Sequence, residues 1–200
     1  MRSAITKITA AILAGGKSRR FGSNKALARV NGIPIIQHIR NQLYVSVRRI
    51  IVITNTHDEF AFLDLPMYRD IFPGRGPLGG LHTAMEVACS PWIFVTSCDL
   101  PYFSYNLLTV LARCIQNVEA VCFTKAGKTE PFPALFNTRI LAKLKLYMKS
   151  RDYTFQSFLN NCNMVHVPLE NVLSEIDPRM LLNCNTLGDY RNIVTNLINS

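Results

Sequence analysis

Short apolar runs, rich in β-branched residues and too short for helices, recur along these 200 residues, and each stops at a glycine or a polar residue. The run 8–13 ends in Gly15-Gly16, the run 50–53 in Thr54-Asn55-Thr56, and Trp92-Ile93-Phe94-Val95-Thr96 in Ser97-Cys98-Asp99-Leu100-Pro101. A weaker extended segment runs through Met67-Tyr68-Arg69-Asp70, and further strands are expected at 120–124 and 164–167. Runs of this kind read as buried strands, because both faces of the strand are apolar. Between them lie segments of helical spacing: 35–47, carried by Ile35, Ile36, Ile39, Leu43 and Val47, then 81–88, 105–115, 139–148, 154–159 and 188–197. Pro34 suits the first turn of the first helix, Asn31-Gly32 a turn before it, and Thr138 a helix cap. The stretch 72–80, with four glycines and two prolines, reads as a loop, and the segment after 124 as a polar, glycine-containing connection to Glu130-Pro131-Phe132-Pro133.

Strands alternating with helices predict an α/β fold: a single Rossmann-like domain over 1–200, three layers α/β/α, around a mostly parallel sheet. Ligands of such sheets bind outside the carboxyl ends of the strands. Gly15, Asn55, Asp70 and Asp99 all stand at such ends, and Pro101, by restricting Leu100, keeps Asp99 at the strand tip. Four stops on one rim define a candidate site.

The loop after the first strand carries the chemistry. Gly15 and Gly16 let backbone come close to an anion, while Arg19, Arg20 and Lys25 bring positive charge, Arg as a rigid fork and Lys as a point. The net charge of +9 is compatible with nucleic acid, a membrane surface or a small anionic substrate. The densest basic cluster lies in this loop, there is no lysine-rich tail, and no aromatic-basic interleaving suits a single strand, so a phosphorylated small molecule is the expected partner, with neither nucleic acid nor membrane. The six cysteines are scattered without a C-x-x-C pair, which predicts reduced, mostly buried thiols and neither a zinc site nor a disulfide framework. The four histidines are isolated and read as structural. The basic N-terminus leads straight into the first strand, and a cytoplasmic location is expected.

The segment Leu13-Ala14-Gly15-Gly16-Lys17-Ser18-Arg19-Arg20-Phe21-Gly22-Ser23-Asn24-Lys25 resembles the signature of the molybdenum cofactor guanylyltransferases, the MobA family of nucleotidyltransferases. The resemblance extends through Gly76-Pro77-Leu78-Gly79-Gly80, Cys98-Asp99-Leu100-Pro101 and Asn183-Cys184-Asn185-Thr186. Phe21 stands where the family has Met, and Asn24 where it has Asp, which removes a charge beside Lys25. The resemblance implies a fold like that of the nucleotide-diphospho-sugar transferases, with a nucleotide-binding N-terminal part and an acceptor-binding C-terminal part. It implies that Leu13, Ala14, Gly15 and Gly16 present backbone to the nucleotide, that Arg19 and Lys25 hold its phosphates, that Asn55 and Asp70 contact the nucleoside, and that Asp99 binds Mg²⁺. Arg19, Lys25 and Asp99 are thereby the catalytic residues, and Asn183 and Asn185 face the pterin. The implied reaction joins GMP from GTP to molybdopterin and releases pyrophosphate, with proteins that insert the cofactor or escort molybdoenzymes as further partners. Ala14-Gly15-Gly16, where CTP-using relatives carry Ala-Ala-Gly, points to GTP. A cytidylyltransferase or another small-molecule nucleotidyltransferase of this fold remains the alternative, and an inactive GTP-binding maturation partner is the alternative from another class.

Overall fold

The computed structural model describes residues 7–15, 24–150 and 154–198, with side chains to residue 195. Gly16 and Arg19 therefore lie outside the described residues. The apolar runs form the expected strands β1 (Ile8–Leu13), β4 (Arg49–Ile53), β5 (Met67–Tyr68), β6 (Trp92–Ser97), β7 (Ala120–Lys125) and β9 (Met164–Pro168), and three more are present, β2 (Arg29–Val30), β3 (Ile33–Pro34) and β8 (Lys128–Asn137). The helices are α1 (Ile35–Tyr44), α2 (His57–Phe60), α3 (Gly76–Val87), α4 (Asn106–Arg113), α5 (Leu141–Tyr147), α6 (Phe155–Asn160) and α7 (Leu187–Ile198).

One seven-stranded sheet in the order β5-β4-β1-β6-β8-β7-β9 runs through the molecule, and β2 and β3 form a small hairpin across Asn31-Gly32. Strands β5, β4, β1 and β6 are parallel, so their carboxyl ends share one rim. Because side chains alternate along a strand, each one feeds two cores. Ile8, Ala10 and Ile12, Ile50 and Val52, and Trp92 and Phe94 meet α1, α4 and α7 on one face. Ala11, Ile51 and Ile53, and Ile93 and Val95 meet α3, α5 and α6 on the other.

Three expectations need correction, and the first two concern the site. The glycines and proline of 76–80 are the first turns of α3 and not a loop. Pro77 needs no amide partner at a helix start. Gly79 and Gly80 are there for close approach, since a Cβ at Gly79 would come 2.8 Å from the Phe72 carbonyl oxygen and one at Gly80 3.1 Å from the Leu13 side chain. Glycine freedom is needed only before and at the helix start, where Gly74 and Gly76 have φ of +84° and +55°. The segment after 124 is the second correction: Ala126 and Gly127, with φ of +48° and +75°, form the two-residue turn of a β7–β8 hairpin. Strand β8 is consequently antiparallel to both β6 and β7. At the next turn, Asn137 rather than Thr138 supplies the cap, accepting from the Arg139 amide at 3.0 Å. Of the six cysteines, Cys98, Cys122 and Cys184 are buried and Cys89 is exposed; all are free thiols.

Candidate active site

A cleft of about 480 Å³ opens at the rim, lined by Leu13 at the end of β1 and Gly15 after it, Asn55 after β4, Asp70 after β5, Ser97 at the end of β6, the start of α3 and Phe132 of β8. The parallel strands bring Gly15, Asn55 and Asp70 together as expected. Asn55 donates through Nδ2 to Asp70 Oδ2 at 3.2 Å, and its Oδ1 accepts from the Asp70 amide at 3.2 Å. The Asp70 carboxyl has a raised pKa because burial opposes its charge, with the Asn55 hydrogen bond acting the other way. Its Oδ1 is buried without a hydrogen-bond partner among the described residues, as an acceptor awaiting a ligand donor would be. Ala14 differs from its neighbours: it is buried, and its amide is committed to Ile53 O at 2.9 Å. Leu13 and Gly15 are the residues of that triplet that line the cleft.

The segment after Asp70 is held against α3. The Ile71 amide donates to Thr83 Oγ1 at 3.0 Å, and the Phe72 ring meets His82 edge-on at 4.8 Å. His82 is 1 % exposed. Burial holds its pKa below the ordinary histidine value, with Glu86 raising it and Lys145 lowering it.

Next to the cleft, Lys25 closes a three-way contact. Its Nζ makes an ion pair with Asp99 Oδ2 and donates to Asn185 Oδ1 at 2.9 Å. Asp99 is 5 % exposed, at the tip of β6. Its carbonyl accepts from the Cys184 amide at 2.8 Å, which draws the segment 183–186 against the strand end. Asp189 then fixes that segment, accepting from the amides of Asn185 and Thr186 at 3.0 and 2.8 Å and donating its own amide to Thr186 Oγ1 at 3.1 Å. Asn183 is exposed, one residue before the buried Cys184. The substitution at Asn24 has a local account. Its Oδ1 caps the short helical turn 25–27 at the Ala26 amide (3.2 Å), and its Nδ2 donates to Glu59 Oε2 at 2.5 Å. Lys25 is thus oriented from across the fold and not by its sequence neighbour.

A divalent cation fits this arrangement on one count. Asp99 Oδ1 is buried with no hydrogen-bond partner among the described residues, while Lys25 occupies the other oxygen. Among the described residues no group of three or more His, Cys, Asp or Glu side chains converges, so the protein offers no full ligand cage, and a carboxylate with water and phosphate completing the shell suits Mg²⁺. Phe132 is the lining residue that sequence reasoning missed. Its cue was Ala126-Gly127, whose turn reverses the chain and brings the start of β8 to the rim.

A family model described as a MobA-like NTP transferase domain matches residues 10–166. A protein of Carboxydothermus hydrogenoformans named "Probable molybdenum cofactor guanylyltransferase" is 36% identical over 94% of this chain and 95% of its own. A "Molybdenum cofactor guanylyltransferase" of Syntrophotalea carbinolica is 30% identical over 91% and 88%. The crystal structure of molybdopterin-guanine dinucleotide biosynthesis protein A from Archaeoglobus fulgidus superposes with a TM-score of 0.81 over 96% of this chain and all of that one, at 18% identity.

Proposed function

The chain belongs to the MobA-like NTP transferase family, and on that premise we propose that it transfers GMP from GTP to the phosphate of molybdopterin, releasing pyrophosphate. The observation that carries this reading is the Lys25–Asp99–Asn185 contact. It joins the strand ends that bear the nucleotide cleft to the C-terminal segment on the acceptor side, at a point where two anions would have to meet.

Attack by one phosphate on another is opposed by charge, so the site must offset repulsion and steady the charge growing on the leaving pyrophosphate. Lys25 brings a mobile ammonium to that point, and the short, capped turn that carries it limits its reach. Arg19, six residues earlier in the same basic stretch of sequence, is proposed as a second phosphate ligand. Asp99 would hold Mg²⁺ through Oδ1, and the ion would supply Lewis-acid charge at the phosphates. Asn55 and Asp70 are proposed to recognise the nucleoside through the unpartnered Asp70 oxygen and the Asn55 amide. Asn185, and with it Asn183, would meet the acceptor, Asn185 giving up its bond to Lys25 when phosphate arrives.

The test is pyrophosphate release from GTP with Mg²⁺ and molybdopterin. Asp99→Ala and Lys25→Ala are each expected to lower kcat by about 100-fold or more. Turnover that persists in both variants, or faster turnover with CTP than with GTP, would overturn the assignment.

A further inference from the structure

We infer that Phe132 is the stacking wall of the acceptor site, taking the planar ring of the second substrate, an assignment that rests on the proposed function. The argument begins with sheet order. The rim reads β5-β4-β1-β6-β8, and the cleft follows it from Asp70 to Phe132. That is four strand spacings, roughly 19 Å at about 4.8 Å each. A nucleoside bound at Asn55 and Asp70 occupies the β5–β4–β1 half, with its phosphates turned toward Lys25 and Asp99. The β6–β8 half is left for whatever the phosphate is transferred to.

Phe132 defines that half. The β6–β8 ladder ends with Val95 paired to Ala134, and just beyond it both Ser97, two residues before Asp99, and Phe132 line the cleft. It is the one aromatic side chain lining the cleft among the described residues. Its ring is backed by Phe155 at 4.7 Å between centroids, and Phe155 is in turn set edge-on, at 6.3 Å and 86°, against the fully buried Phe136. The ring is half-buried in this contact, and because the residue lines the cleft it offers an aromatic face there. Such a face favours a flat heterocycle, which stacks on it with little loss of conformational freedom. The Asn55–Asp70 end, lined by Asn55, Asp70 and glycines together with the aliphatic Leu13, Ile53 and Pro77, has no aromatic lining residue among the described residues. The two ends of the cleft therefore differ in the chemistry they read.

Steady-state pyrophosphate release, with GTP and molybdopterin varied in turn, separates the two halves. In Phe132→Ala the KM for molybdopterin is expected to rise about tenfold or more while the KM for GTP stays within about twofold; Phe132→Tyr should stay near wild type and Phe155→Leu fall between. Retained GTP affinity shows that the variants are folded. A KM for GTP that rises as much as that for molybdopterin, or no change in either, would overturn the inference. A second measurement stands apart from turnover: anisotropy of free 6-hydroxymethylpterin, which should bind the wild type and lose about tenfold in Phe132→Ala. A wild type that releases no pyrophosphate yet shows this loss would sink the proposed reaction and leave the wall standing. Equal pterin binding by both proteins, or by neither, would remove the wall.

Discussion

Asn24 illustrates how one side chain can change its neighbour's surroundings without changing its role. Replacing it by Asp keeps a competent cap for the Ala26 amide but sets a carboxylate against Glu59. Asn24→Asp should therefore cost about 0.5 kcal/mol, as expected for an exposed pair, and Asn24→Asp with Glu59→Gln should recover it. Urea unfolding of the single and double variants checks this. Because Lys25 is held by Asp99 and Asn185, kcat in Asn24→Asp should remain within a few-fold of wild type. Asp70 works in the opposite sense. Burial raises its pKa above the unfolded value, so at neutral pH the ionised carboxylate opposes folding and the penalty fades as pH falls through the raised pKa. Asp70→Asn should raise Tm by about 1–2 °C at pH 7, less at pH 4, and weaken GTP binding by about tenfold or more. Calorimetry at both pH values and titration with GTP measure the two halves of that trade.

At the level of elements, the start of α3 is where sequence and structure disagree most usefully. Gly76-Pro77-Leu78-Gly79-Gly80 has the composition of a loop, yet it is a helix because the feature that calls for glycine there is lateral. A Cβ at Gly79 would meet backbone, the Phe72 carbonyl oxygen, whereas one at Gly80 would meet the movable end of Leu13. Gly79→Ala should thus cost about 1–3 kcal/mol and disturb the loop that follows Asp70, raising the KM for GTP, and Gly80→Ala should cost less. Equal costs in chemical denaturation would show that helix propensity, not contact, sets the outcome. The β7–β8 hairpin was hidden for a related reason. Ala126-Gly127 is a weaker turn signal than Asn-Gly, and Pro131 and Pro133 within β8 argue locally against a strand. Pairing with β6 and β7 on either side overrides that local preference.

For the whole molecule, His82 links pH to stability. Its pKa is held low chiefly by burial, with Glu86 Oε1 3.4 Å away and Lys145 paired to that same glutamate. Below the ordinary histidine value of about 6.5 the unfolded chain takes up a proton that the folded one refuses, so stability should fall as pH drops from about 6.5. His82→Leu should flatten that part of the profile, read as the denaturation midpoint at pH 7 and pH 5.5; an equal drop in both proteins would assign the pH dependence elsewhere. Much of the fold was readable from the chain alone. Strands β1, β4, β5, β6, β7 and β9, their alternation with helices, and the placing of Gly15, Asn55, Asp70 and Asp99 at strand ends follow from hydrophobic period and from chain breakers, which act over a few residues. Tertiary structure decided the rest: the direction of β8, the arrival of Phe132 at the rim, and the partners of Lys25, which lie 74 and 160 residues away along the chain. Those outcomes depend on which surfaces win when the whole sheet pairs and both cores close, and local sequence carries no record of that competition.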